Sequence, residues 1–218
     1  MSEIFFEELD IPKPDINLNI GSGSHAQMTA KALIEIEKVL IKFKPKLVIL
    51  YGDTNSTLAG ALACAKLNIP IAHVESGSRS YDKSNPEECN RIVTDHLSNI
   101  LFCPDESSVY NLKKEGITDK VYFTGDVMYD TFLYCLNKYQ NKIDILSKYN
   151  LAKNNYVLMT WHRQENTSDR DRVIKILNFI EKINYKILFP IHPRTRNILV
   201  EFGLMEKLLS MENVQVVD

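Results

Sequence analysis

The feature that most constrains this chain is a rhythm: short, continuously apolar runs alternate with longer segments of helical period. The runs in the first part are "KLVILY" (46–51), "IPIAHVE" (69–75), "NILFCP" (99–104) and "KVYFTG" (120–125). Between them, "STLAGALACAKL", "PEECNRIVTDHL" and "DESSVYNLKKEG" have helical spacing. Pro86 opens the second of these helices, Asp105 caps the third and Gly116 stops it. "DVMYDTFLYCLNKY" is a further helix. Ahead of the first run, "AQMTAKALIEIEKVLIKF" is amphipathic, with Leu33, Ile36, Leu40 and Phe43 along one face. Strands this continuously apolar are expected to be buried on both faces, as in a parallel sheet with helices on each side.

A polar connection over 138–154 ends this part. A second alternation follows: strand "NYVLMT", loop "WHRQENTS", helix "DRDRVIKILNFIEKI", strand "YKILFPI", then "HPRTRNILVEFG" and a last strand "NVQVVD". The expectation is an α/β protein with two Rossmann-like parallel-sheet domains around a cleft. The first covers 1–137 and lacks its first strand; 155–218 begins the second. A start on a helix and an end on a strand are expected of a piece of a longer two-domain protein.

A net charge of −2 gives no reason to expect nucleic acid or an anionic membrane as partner. No apolar run approaches the length of a membrane span, and the acidic start "MSEIFFEELD" is unlike a signal peptide. Cys64, Cys89, Cys103 and Cys135 show no C-x-x-C spacing and are expected to be reduced thiols of a cytoplasmic protein.

In open parallel sheets, ligands bind at the carboxyl ends of the strands. That rule singles out Gly52-Asp53, Glu75 and Gly125-Asp126 in the first part, and Glu87 on the loop and helix after Glu75. In the second part it selects His162, Arg163, His192, Arg194 and Arg196. Carboxylates repel phosphate, so Asp53, Glu75 and Glu87 suit proton handling; arginines and histidines suit a phosphate or diphosphate leaving group.

Each residue also has a plainer reading. Asp53 is equally suited to cap the helix beginning near Ser56. Glu87 and Glu88 favour a helix first turn in any case, and Arg91 is placed to pair with Glu87. His73 reads as packed within its strand and His96 as an ordinary helix residue. Glu75, a carboxylate ending an apolar strand, favours function. "GSGSHA" (21–26) matches a nicotinamide fingerprint, but the segment before it, "IPKPDINLNI", is a poor central strand. A loop ahead of the helix is the better reading. No metal-ligand spacing stands out.

"YGDTNSTLAGALACAKLNIPIAHVESGSRS", "NPEECNRIVTDHLSNILFCP", "GDVMYD", "WHRQENT" and "PIHPRTR" together resemble the non-hydrolysing UDP-N-acetylglucosamine 2-epimerases, in order and along essentially the whole chain. The resemblance implies a glycosyltransferase-B arrangement. It also implies interconversion of UDP-N-acetylglucosamine and UDP-N-acetylmannosamine for surface polysaccharide precursors, by elimination of UDP and its re-addition, without cofactor or metal. Asp53, Glu75, Glu87 and His162 match the family's catalytic residues, and Arg91 matches a substrate-contacting arginine. Arg163 and His192 match positions near a second, regulatory nucleotide-sugar site in bacterial members. A homodimer is implied for the complete protein. The family's "EAGLRS" is here "ESGSRS". Its "GTRPE" motif would precede Met1 and its uridine-holding segment would follow Asp218, so the 218 residues alone are expected to be a poor epimerase. Two alternatives stay open: the hydrolysing relative, which releases free N-acetylmannosamine and UDP, and a non-catalytic nucleotide-sugar-binding piece.

Overall fold

The computed structural model describes residues 10–139 and 145–217, together with Phe6. The chain divides into two compact units, Met1–Gln140 and Asn141–Asp218.

The first unit begins with α1 (His25–Phe43). Ser24 and Gln27 form a capping box: the Ser24 hydroxyl accepts from the Gln27 N–H, and the Gln27 side chain accepts from the Ser24 N–H. The "GSGSHA" segment is thus the lead-in to a helix, and no strand lies within residues 10–24. There follow β1 (Val48–Tyr51), α2 (Asn55–Lys66), β2 (Ile71–Val74), α3 (Pro86–Leu97), β3 (Ile100–Cys103), α4 (Glu106–Lys114), β4 (Val121–Phe123) and α5 (Val127–Tyr139). The sheet runs in the order β1-β2-β3-β4 and every pair is parallel.

The core of this unit joins Leu40 of α1, Ala61, Ala63 and Cys64 of α2, and Ile71 of β2; Leu101, Cys103 and Leu112 form a second cluster. Small residues let α2 lie close on the sheet, and a Cβ at Gly60 would stand 2.8 Å from Leu50 Cδ2. Leu33, Ile36 and Leu40 face this core as the helical period predicts, but Phe43 does not. It is 58% exposed, because α1 ends there, at the left-handed cap residue Lys44.

The expectation of burial on both sheet faces also needs correction within the described residues. The register sets Tyr51, Val74, Phe102 and Tyr122 side by side, and Ile49, Tyr51 and Tyr122 are exposed. Successive neighbours joined by crossovers of one hand put the connecting helices on one side of the sheet. The other side therefore receives no helix from α2, α3 or α4.

The second unit contains α6 (Ile145–Lys148), β5 (Tyr156–Leu158), a 3-10 turn (Gln164–Asn166), α7 (Arg170–Glu181), β6 (Lys186–Pro190), α8 (Pro193–Glu201), α9 (Met205–Leu209) and β7 (Val214–Val217). Its sheet, β5-β6-β7, is again parallel. Val173, Leu177 and Ile180, one stripe of α7, pack with Ile187, Phe189, Leu199 and Leu208. Among the described residues no helix is long and apolar enough to cross a membrane. All four cysteines are free thiols, with Cys64 and Cys103 buried.

Candidate active site

In the first unit the four parallel strands bring their carboxyl ends to one edge. Asp53, Glu75 and Asp126 follow three of them.

Asp53 is not a helix cap. Thr54 takes that place on α2, its hydroxyl accepting from the Thr57 N–H. The Asp53 carboxylate is instead bound by Arg91 Nη2, from α3. Asn90 of the same helix donates to the Asp53 carbonyl at 2.8 Å. One turn of α3 therefore fixes both the backbone and the side chain of Asp53.

Arg91 pairs with Glu88, at 2.9 Å, and not with Glu87 as the helical spacing suggested. The neighbours differ in helical phase. Glu88 faces inward and is buried, while Glu87 is exposed. Glu88 also accepts from the Ser80 N–H and hydroxyl and from the Tyr81 N–H. Burial works against its charge, yet these donors and Arg91 outweigh it and hold the carboxyl below its ordinary pKa.

Glu75 stands where β2 leaves the sheet, on left-handed backbone at φ +73°. That region is costly for any residue with a Cβ, and such strain tends to mark functional positions. Its carboxylate reaches over Gly52: a Cβ there would stand 3.5 Å from Glu75 Oε2, and Gly52 is itself at φ +64°. Burial pushes the Glu75 carboxyl upward, and the charges of Asp53 and Asp126 push it further, against the pull of Arg91 and His73. The site thus holds one salt-bridged carboxylate beside another biased toward its protonated form, a usual basis for dividing acid and base roles.

The loop after Glu75 is held along its length. The Ser76 N–H donates to the Phe102 carbonyl, and Gly77 N–H to Asp95 Oδ2. Arg79 grips Glu115 with Nε and Nη2, each at 2.7 Å, and Asp95 with Nη1 at 2.7 Å. Gly77, at φ +81°, runs against the Ser108 carbonyl where no side chain fits. Ser76 is buried, its hydroxyl 3.7 Å from Cys103 Sγ, so the serine that departs from "EAGLRS" has room and a partner. His73 is packed within its strand as read, but it is also bonded at both ring nitrogens. His96 is exposed on α3.

Sequence reasoning passed over Asp95, Asn90, Arg79 and Glu115. Only the first two carried a signal. Glu88, Arg91 and Asp95 recur at helical spacing, and Glu88, Asn90, Thr94 and Asp95 are the buried residues of α3. That is a polar stripe turned inward.

In the second unit, His162 and Arg163 follow β5 and His192 follows β6. The rings of His162 and His192 lie 5.4 Å apart, tilted by 33°. His192 caps α8, its Nδ1 accepting from the Arg194 N–H at 3.1 Å. Trp161 anchors the β5 loop: it is buried, packs on Phe189, donates from Nε1 to the Asn166 carbonyl, and accepts at its own carbonyl from the Thr195 hydroxyl. Arg163 is exposed, 3.8 Å from Glu165. A helix start beside two histidines and exposed arginines is suited to an anion.

The whole chain, residues 1–218, matches the family model described as UDP-N-acetylglucosamine 2-epimerase. It is 51% identical to a UDP-N-acetylglucosamine 2-epimerase homolog of Methanococcus maripaludis, covering 100% of this chain and 61% of the relative. It is 47% identical to the UDP-2,3-diacetamido-2,3-dideoxy-D-glucuronate 2-epimerase of Pseudomonas aeruginosa, covering 100% and 60%. Among solved structures, the Methanocaldococcus jannaschii UDP-GlcNAc 2-epimerase in complex with UDP-GlcNAc and UDP matches with a TM-score of 0.91 at 45% identity, covering 100% of this chain and 62% of that one. The chain spans about three fifths of the length of the curated relatives it matches.

Proposed function

The chain belongs to the UDP-N-acetylglucosamine 2-epimerase family, and from that premise we propose that it serves the C2 epimerisation of UDP-N-acetylglucosamine without hydrolysis. In the forward direction a carboxylate takes the C2 proton as the C1–O bond to UDP breaks, leaving a C1–C2 double bond. UDP then re-adds at C1 while C2 receives a proton on the opposite face. The observation that carries this reading is the pair Asp53 and Glu75: adjacent carboxylates at strand ends, one held by Arg91, the other biased toward protonation. Glu87, exposed in the first turn of α3, is the third proton handler we assign. Arg91 keeps Asp53 in place. His162, Arg163 and His192, all of the second unit, are assigned to anion binding beside the start of α8.

The same chemistry fits a second sugar, favoured by the 47% identity to an epimerase of a diacetamido glucuronate. That substrate adds an acetamido group at C3 and a carboxylate, while the C2 step is unchanged. The test uses the protein alone and joined to the flanking segments of its Methanococcus maripaludis relative. Each form is offered both nucleotide sugars and the products are resolved by mass and chromatography. Conversion of UDP-N-acetylglucosamine to its C2 epimer, with the sugar still linked to UDP, supports the proposal. Preference for the diacetamido sugar would favour the second reading, and release of free sugar or no conversion by either form would contradict both.

A further inference from the structure

A buried ionic chain lies behind the two carboxylates. His73 Nδ1 meets Asp95 Oδ1 at 2.7 Å, Asp95 Oδ2 meets Arg79 Nη1 at 2.7 Å, and Arg79 meets Glu115 through two bonds of 2.7 Å. The side chains of His73, Arg79 and Asp95 are fully buried, while that of Glu115 is 25% exposed. These groups come from β2, the loop after it, α3 and the residue that closes α4. Four separate pieces of the unit are thus tied into one line of ion pairs and hydrogen bonds.

The line ends on backbone. His73 Nε2 lies 2.8 Å from the carbonyl of Gly52. That carbonyl sits past the last ladder pair, Tyr51↔Val74, because β2 turns away at Glu75. The imidazole is the donor it finds. A carbonyl only accepts, so Nε2 carries a proton. The Asp95 carboxylate already receives the Gly77 N–H and Arg79. Both ring nitrogens are thereby engaged, one by the Asp95 carboxylate and one by the Gly52 carbonyl.

We infer that His73, Asp95, Arg79 and Glu115 form a positioning chain: it holds the Gly52 carbonyl and so sets where Asp53 stands against Glu75. The inference rests on the reading of Asp53 and Glu75 as the reacting pair. It goes beyond stability, since buried ion pairs are commonly replaceable by apolar residues of similar volume without loss. An apolar residue at 73 leaves both the Gly52 carbonyl and Asp95 Oδ1 without their ring partner. The placement matters because a catalytic group displaced by a fraction of an ångström loses much of its effect.

The reporter is the Gly52 amide, whose N–H bonds to the Val74 carbonyl at 3.1 Å. Its hydrogen exchange is followed by NMR in the wild type, His73→Leu and His73→Gln, with Leu101 of β3 as an internal control. His73→Leu has no donor for Gly52, and exchange there is expected to rise about tenfold while Leu101 keeps its rate, a local opening. His73→Gln supplies one amide donor and is expected to restore much of the protection. Equal exchange at Gly52 in all three proteins, or a Gln variant no better than Leu, overturns the inference. Should His73→Leu fail to fold, Glu115→Gln at the exposed end serves instead. Faster exchange at Gly52 in that variant is expected, and an unchanged rate overturns the inference. Exchange as predicted with no turnover by any form would sink the epimerase reading and leave the positioning chain standing. Turnover with Gly52 exchange unmoved would do the reverse.

Discussion

Arg91 Nη2 binds the carboxylate of Asp53, 38 residues earlier in the chain, while its Nη1 donates to Glu88 at 2.9 Å. The guanidinium is therefore committed to two carboxylates of its own unit. Burial works against its charge, and Asp53 and Glu88 more than compensate, so its pKa is raised.

Arg91→Ala leaves both carboxylates without their cation. It is expected to cost about 1–3 kcal/mol of stability and to lower kcat by roughly two to three orders of magnitude through a displaced Asp53. Titration calorimetry with UDP is expected to show nearly unchanged affinity. A large loss of UDP affinity would instead put Arg91 on the substrate, as the family resemblance implies.

Glu75→Gln is expected to remove turnover by about two to four orders of magnitude and yet to stabilise the fold at pH 7. The folded-state pKa of Glu75 is raised, chiefly by burial, then by Asp53 and Asp126. The stability tied to its protonation is fully present below the unfolded value of about 4.3 and is lost as pH rises through the folded value. At pH 7 the ionised group opposes folding, and the neutral amide does not. Thermal denaturation at pH 7 and near pH 4 checks this: a gain in Tm at the higher pH that shrinks at the lower one. A variant less stable than wild type at pH 7 would contradict it.

Glu88 has the opposite sign. Burial disfavours its charge, but the Ser80 and Tyr81 donors and Arg91 lower its pKa in the fold. Its contribution is present above about pH 4.3 and is lost as pH falls through the lowered folded value. Glu88→Gln is expected to destabilise at pH 7 by about 1–3 kcal/mol, with the difference closing in acid. A constant difference across that range would show that the charge is not what matters.

Gly77→Ala meets two obstacles, a φ of +81° and the Ser108 carbonyl. A loss of roughly 2–4 kcal/mol is expected. Gly125→Ala has a similar φ of +88° but open space around it, so only about 1–2 kcal/mol is expected. Equal costs, measured by urea denaturation, would mean that the Ser108 contact is unimportant.

Much of this was legible in the sequence because strand ends announce themselves. Asp53 and Glu75 interrupt apolar runs, and the parallel α/β class follows from those runs. Which of Glu87 and Glu88 turns inward was not legible. Neighbouring helix residues differ by about 100°, and only the packing of α3 settles the phase. Arg79 and Glu115 lie 36 residues apart and meet only once the sheet has assembled. Asp95 was hidden for another reason: the usual search is for apolar residues on the buried face of a helix, and α3 buries polar ones. That the face beside Tyr51 and Tyr122 receives none of α2, α3 and α4 reflects crossover handedness, which a strand's own composition does not encode.

The central claim is that Glu75 and Asp53 move the C2 proton while the sugar leaves and rejoins UDP. Incubation with UDP-N-acetylglucosamine in deuterium oxide tests it most directly, with the protein alone and joined to its relative's flanking segments. Deuterium at C2 is then located by NMR and mass spectrometry. The account predicts one deuterium at C2 in the epimer, the sugar still attached to UDP, and loss of incorporation in Glu75→Gln and Asp53→Asn. Epimer formed without deuterium at C2, or incorporation that persists at the wild-type rate in both variants, would contradict it.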